Sequence, residues 1–324
     1  MLLQHEYTHS WNVKFRRPAD LSTSTFNQPM QNSLLWFYEG QTQYWGYVLS
    51  ARSGLVSLAD SRESLAQTAA WLAARSGRAW RNLQDTTNEP IVSRRAHQDW
   101  RSWQRSEDYY DEGSLIWLDV DTQMRALSAN KASLNDLARQ FFGVESGRTR
   151  TLPYTFADVV QALNAVAPFN WAAFLRQRLD GHDPSALLDG LTRSGWRLVY
   201  RDQPSEYAKG VEATRKFTSF AYSLGFDLDK DGKLTQVLWD SPAFRAGLAP
   251  SAHLVAVNGI AYKPELLREA VTQAKNGGGV ELLIKAADRY RTVNIDYRGG
   301  LRYPTLERIE GAPDRLTQIL SAMP

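Results

Sequence analysis

The sequence contains no cysteine, which excludes disulfides and any thiolate-ligated metal site. Long apolar runs are also missing: nothing approaches the roughly twenty residues of a membrane span. The start, Met1-Leu2-Leu3-Gln4-His5, lacks the charged and apolar regions of a signal peptide. The expectation is a soluble protein without a membrane span, cytoplasmic, or periplasmic if an export signal lies upstream. Neither sign of charge dominates. Lys and Arg number 38 against 35 Asp and Glu, a formal charge of +3, and mixed segments such as Arg94-Arg95 and Glu107-Asp108 leave no basic face for nucleic acid. Phosphate-binding glycine loops and the G-x-S-x-G elbow are absent. Aromatic residues, in contrast, are plentiful, with eleven Trp, fourteen Tyr and twelve Phe in 324 residues. That length suits two or three domains with a sizeable core.

Two of the five histidines stand together in His5-Glu6-Tyr7-Thr8-His9, the pattern H-E-x-x-H. A spacing of four on a helix puts His5 and His9 on one face, where both imidazoles reach a single ion. Glu6 beside them is placed to take a proton from zinc-bound water and deliver it to a leaving amine. A catalytic zinc site wants a third protein ligand and an open position. Glu39 is the candidate third ligand, the one acidic residue of the aromatic-rich helical stretch Leu34–Trp45. Flanked by Trp36, Phe37 and Tyr44, it is costly to bury without a positive partner.

The segments His5-Glu6-Tyr7-Thr8-His9-Ser10-Trp11-Asn12-Val13-Lys14, Leu35-Trp36-Phe37-Tyr38-Glu39-Gly40 and Tyr109-Tyr110-Asp111-Glu112-Gly113 resemble the glycyl aminopeptidases, zinc metallopeptidases of the gluzincin type that carry a PDZ domain. The resemblance implies zinc held by His5, His9 and Glu39, Glu6 as general base, and Tyr110 as the donor that stabilises the oxyanion. Preorganised donors of that kind suit acyl transfer. Glu112 departs from the pattern, standing where relatives often have lysine and removing a positive charge near Tyr110. The start of the chain departs as well. Relatives place a β-rich domain and the sheet half of the catalytic domain before this helix, with an edge strand that binds substrate. The expectation is therefore a fragment or truncated chain, or one that a partner completes, whose first helix lacks a cap and whose apolar surface is partly uncovered.

Along the chain, the two metal-binding helices are expected to be joined by a polar loop running from Arg17 through Pro29. A helical bundle should follow to about residue 200, with segments at Ser64–Ala74, Ser114–Met124, Leu134–Phe142 opened by Ser133, Thr155–Leu163, Asn170–Leu179, and Asp183–Leu191 with Pro184 at its first position. After about Tyr200, short alternating segments and glycines signal β structure. Ser223-Leu224-Gly225-Phe226 resembles the carboxylate-binding loop of PDZ domains, and Ser241-Pro242-Ala243 through Leu248 and Leu254 through Gly259 resemble the segments that follow it. Backbone N–H groups of Leu224, Gly225 and Phe226 can capture a peptide C-terminus; the same loop can also serve only to pack against the catalytic domain. Asp227-Leu228-Asp229-Lys230-Asp231-Gly232 opens like an EF-hand, but its twelfth position is Leu238 where a bidentate glutamate is needed, so it reads as a polar turn. His97, His182 and His253 have no partner at ligand spacing.

The fold class expected is thus mixed: a mostly α-helical gluzincin-like metallopeptidase domain over 1–200, a small β-rich PDZ-like domain over 201–300, and a C-terminal extension over 301–324. The functional expectation is zinc-dependent hydrolysis of peptides with small N-terminal residues such as glycine. The alternative is a catalytically silent homologue that binds peptides through the PDZ groove.

Overall fold

The computed structural model describes residues 1–92 and 98–323. Arg94-Arg95 and His97 lie outside the described residues. Among the described residues no helix is long and apolar enough to cross a membrane.

The fold is mixed, and two separate hydrophobic cores organise it. The first is helical. A short helix α1 (Leu2–Thr8) lies across α2 (Leu35–Arg52), and α3 (Leu58–Ala73) packs beside them. As expected, α1 has no side-chain cap, and Leu2 and Leu3 are about three-quarters exposed. In place of a simple polar connection, Arg16–Pro18 forms strand β1, which pairs in parallel with β2 (Leu152–Tyr154). Pro18 biases Arg17 toward extended backbone, and the Arg16 guanidinium lies over the Phe141 ring at 4.0 Å while donating to the Phe141 carbonyl at 2.9 Å. Helix α3 starts two turns before its expected first residue because Ser57 caps it, accepting from the Asp60 N–H. The helices after Ser133 and Thr155 both open with capping boxes, Ser133 with Asp136 and Thr155 with Asp158. The expected helix from Asp183 is instead a 3₁₀ turn, Ser185–Leu188, followed by a short helix, Asp189–Arg193. The Asp183 carboxylate accepts from the Ser185 N–H and hydroxyl, which tightens the chain there.

The long helix Asp111–Leu127 crosses α2 at the centre of this core. Its approach depends on two glycines. A Cβ on Gly113 would stand 2.8 Å from Gly40 Cα and 3.2 Å from the Trp36 carbonyl, and one on Gly40 would stand 2.8 Å from both Gly113 Cα and the Tyr109 carbonyl. The two backbones touch. Around the crossing, Trp36 stacks on Trp117 with ring centroids 5.8 Å apart, and the Trp117 indole N–H donates to the Trp36 carbonyl.

The second core belongs to residues 217–297. Strands β4 (Phe217–Ser219), β5 (Phe226–Asp229) and β6 (Leu234–Val237) form one antiparallel sheet in the order β4-β5-β6. Strands β7 (His253–Val257), β8 (Ile260–Ala261), β9 (Val280–Ala286) and β10 (Arg289–Ile295) form the other, in the order β10-β9-β7-β8. The helix Pro264–Gln273 buries Leu267, Ala270 and Val271 in the core between them. The EF-hand-like segment is the turn after β5, where Asp229 Oδ1 accepts from the N–H groups of Asp231 and Lys233 at 2.9 Å.

This unit is inserted through a two-stranded neck. Strand β3 (Trp196–Arg201) leads into it, and β11 (Tyr303–Arg308) returns alongside β3 in antiparallel register. Residues after β11 rejoin the first core, which contains Leu306, Leu316, Ile319 and Leu320. The segment beyond residue 301, expected as an extension, is therefore part of the helical packing. Trp103 stacks on Trp239 at 5.1 Å, and Ser102 accepts the Trp239 N–H, joining the two units a second time.

The crossing yields a stability prediction. Gly113→Ala should destabilise the helical unit by roughly 1–3 kcal/mol through overpacking, although alanine is ordinarily the better helix former. Urea unfolding followed by tryptophan fluorescence checks this, with an unchanged midpoint as the contrary result.

Candidate metal and peptidase site

His5 lies on α1, and His9 ends it with helical backbone angles. The two imidazoles therefore face one side, their Nε2 atoms 3.1 Å apart. Glu39, in the second turn of α2, brings Oε2 to 3.3 Å from His5 Nε2 and 3.4 Å from His9 Nε2. All three side chains are at least nine-tenths buried as residues. A tetrahedral zinc ion with bonds of about 2.0–2.2 Å keeps its ligand atoms about 3.3–3.5 Å apart, so the triangle has the dimensions of one face of such a site. Although close to both rings, Glu39 Oε2 has no aligned hydrogen-bond donor. Two imidazole nitrogens and one carboxylate oxygen pointed at a common centre are a donor set that calls for a cation. Among the described residues this is the group suited to hold a metal ion.

The electrostatics agree with a cation-binding centre. Burial pushes the Glu39 carboxyl up, but His5 and His9 outweigh it and hold the group below its ordinary range. Burial pulls His9 down, yet Glu39, the Asn12 carbonyl and the charge of Glu6 leave its pKa raised. His9 Nδ1–H donates to the Asn12 carbonyl at 3.0 Å, which fixes the tautomer and leaves Nε2 free as a ligand.

Asn12 is a neighbour of the cluster that the motif reading missed. It is fully buried, its amide donates to the carbonyls of Phe37 and Tyr38 at 3.2 Å each, and its Oδ1 accepts from the Tyr154 hydroxyl at 2.9 Å. It thus ties the second histidine to the turn of α2 that carries Glu39. A polar amide between Trp11 and Val13, one turn past His9, was the available signal.

Glu6 is exposed on α1, near enough for its charge to act on His9. Tyr110 caps the N-terminus of the helix Asp111–Leu127, with its ring centroid 6.0 Å from that of His5. Burial, the Glu39 charge, Tyr109 and a hydrogen bond with Glu39 push its hydroxyl well above the ordinary range, so it remains a proton-bearing donor. Tyr109 is 2% exposed and belongs to the core; Tyr110 is the tyrosine that faces the triangle.

Glu112 stands among positive partners. It is buried and paired with both Arg78 and Arg105, while Asp108 pairs with Arg75 and, at 2.7 Å, with Arg105. Three arginines thus face two carboxylates that stand two residues before and two after Tyr110. Burial raises Asp108, but Arg75 and Arg105 outweigh it and hold it below its ordinary range.

The structure brings His5, His9, Glu39, Tyr110 and Glu6 together. It keeps Leu224, Gly225 and Phe226 in the other unit, where Leu224 and Phe226 are wholly buried in the second core. His182 Nδ1–H donates to the Arg78 carbonyl at 2.9 Å, and His253 is exposed on β7.

Residues 1–116 match the family model of the M61 glycyl aminopeptidases. The fold is similar to the crystal structure of an aminopeptidase N family protein from Idiomarina loihiensis, with a TM-score of 0.73 at 20% identity. The similarity covers 99% of this chain and 54% of that one, so the chain spans about half the length of the structure it matches. No curated protein matches the chain.

The site geometry predicts metal binding. Purified protein should hold about one zinc ion per chain, and His9→Ala and Glu39→Ala should lose it. Asn12→Ala should keep the ion but bind it roughly 10–100-fold more weakly, as when an outer-sphere partner is removed. Metal analysis and chelator competition read both; wild-type stoichiometry no higher than that of the ligand variants would contradict the assignment.

Proposed function

We propose that this chain carries the zinc-binding catalytic part of a metallopeptidase, with His5, His9 and Glu39 as ligands. The observation that carries the reading is the convergence of three donor atoms within 3.4 Å of one another, with a carboxylate on the residue next to the first ligand. The chemistry supplied by a bound zinc ion is Lewis acidity, which polarises the scissile carbonyl and makes water acidic enough to deprotonate near neutral pH.

Around that centre the chain's own groups have separate tasks. Glu6 takes a proton from the attacking water and passes it to the leaving amine as the C–N bond breaks. Tyr110, kept protonated by burial and by Glu39, donates to the oxygen that gains negative charge when the carbonyl carbon becomes tetrahedral. The arginine-clamped carboxylates of Asp108 and Glu112 hold the helix N-terminus on which Tyr110 stands. The family resemblance favours aminopeptidase action on small N-terminal residues such as glycine. Residues 217–297 are read as a PDZ-like unit, supported by the loop Ser223–Phe226, the strand β5 after it and the helix Pro264–Gln273.

Glu6→Gln separates this mechanism from a silent scaffold. Glutamine keeps the shape and removes the proton acceptor, so zinc content should stay near wild type while turnover of a glycyl substrate falls by at least the roughly 10²–10⁴-fold of general acid–base catalysis. Equal rates for the variant and the parent would remove Glu6 from this role, and absence of turnover in the parent would favour the binding-protein alternative.

A further inference from the structure

An extended peptide joins a PDZ-like unit by adding a strand to the sheet edge after the carboxylate loop, with its C-terminal end at that loop. Here that edge is taken. Strand β4 pairs with β5 along Phe217↔Asp229, Thr218↔Leu228 and Ser219↔Asp227, on the side of β5 opposite β6. It runs antiparallel to β5, so its C-terminal end meets the loop in the direction a captured peptide would run.

The match extends to the last residue of the segment. Phe220 N–H donates to the Phe226 carbonyl at 2.9 Å, and the Phe220 carbonyl accepts from Gly225 N–H at 2.9 Å and Ser223 N–H at 3.1 Å. An N–H of the carboxylate loop is thus spent on the chain's own carbonyl. The Phe220 side chain is 1% exposed and shares the second core with Leu224, Phe226, Leu267 and Val271. Two residues earlier, Thr218 lies beside the Tyr262 hydroxyl at the entry to the helix Pro264–Gln273. Glu212 holds the segment in place, accepting the Ser219 N–H at 3.0 Å and pairing at 2.9 Å with Arg268 of that helix.

We infer that Phe217–Phe220 is a tethered ligand of this unit. The groove is shaped for an extended peptide that ends in a large apolar residue with a free carboxylate and bears a hydroxyl residue two positions earlier, and it admits such a peptide only when the chain's own segment leaves. The inference rests on the PDZ-like reading above and is independent of the zinc site. A tethered segment competes at an effective concentration of about millimolar, so free peptide should bind the intact protein weakly.

The probe is a dye-labelled synthetic peptide matching residues 215–220 with a free C-terminal carboxylate, read by fluorescence anisotropy on the full chain. Thr218→Pro removes an N–H from β4 and disfavours its pairing; it should bind the peptide at least tenfold more tightly than wild type. Equal affinity in wild type and variant would show that the segment is not the occupant, while leaving the peptide-capturing groove intact. A folded Thr218→Pro protein that binds nothing would overturn the PDZ-like reading and this inference together. Should that variant fail to fold, Ser219→Cys with Asp227→Cys decides, because a non-hydrogen-bonded antiparallel pair has Cα atoms about 4.5 Å apart, within disulfide range. At millimolar peptide the reduced form should bind and the oxidised form should not; the same response, or none, in both forms would overturn the inference.

Discussion

A carboxylate held among aromatic rings is the constraint on which the first half of this molecule depends. Glu39 lies in the interior of α2 between residues that bury against Trp117, Phe141 and Tyr154, and such a group is stable only where positive charge or strong donors compensate it. Two imidazoles do so from one side and the Tyr110 hydroxyl from another. The elements that present these groups are fixed by their own contacts. Asn12 binds the end of α1 to α2, and the meeting of Gly40 with Gly113 sets where the N-terminus of the helix Asp111–Leu127 falls. Removing either contact would displace a partner of Glu39 without touching the carboxylate itself.

The same economy of buried charge recurs behind Tyr110. Arg75, Arg78 and Arg105 come from segments that precede the helix, and Asp108 and Glu112 from its start. Buried pairs of this kind add little net stability, yet breaking one is strongly unfavourable because a lone charge is left behind. Their consequence is positional: the backbone at Tyr109 and Tyr110 has little freedom, so a hydroxyl aimed at developing charge needs little reorganisation.

How far the sequence spoke for the fold depended on distance along the chain. The histidine pair, the capping boxes at Ser133 and Thr155 and the turn at Asp229 are local chemistry, and the residues themselves announce them. Glu39 was legible because a single acid stood in an aromatic run. Relations across the chain were not legible. Nothing near Arg16 points to Leu152 as its strand partner, and the pairing of β3 with β11 is set by packing against the first core. Glu112 looked like a lost positive charge because the arginines that neutralise it lie seven and thirty-four residues away. That Tyr109 is buried while the Tyr110 ring lies near His5 depends on helix phase at the glycine crossing. The pairing of β4 with β5 rests on three residues, too few to show a period.

The neck formed by β3 and β11 has a consequence for how the chain is made. Arg52 of α2 donates to the Ile319 carbonyl, a contact that spans 267 residues. The helix bearing Glu39 therefore receives this neighbour only after the chain as far as Ile319 has left the ribosome. By then the inserted β unit, whose contacts are mostly internal, has had time to fold first. Helices α1 and α2 precede the β unit along the chain yet are sealed after it, and their histidines and carboxylate meet ions and water throughout that interval.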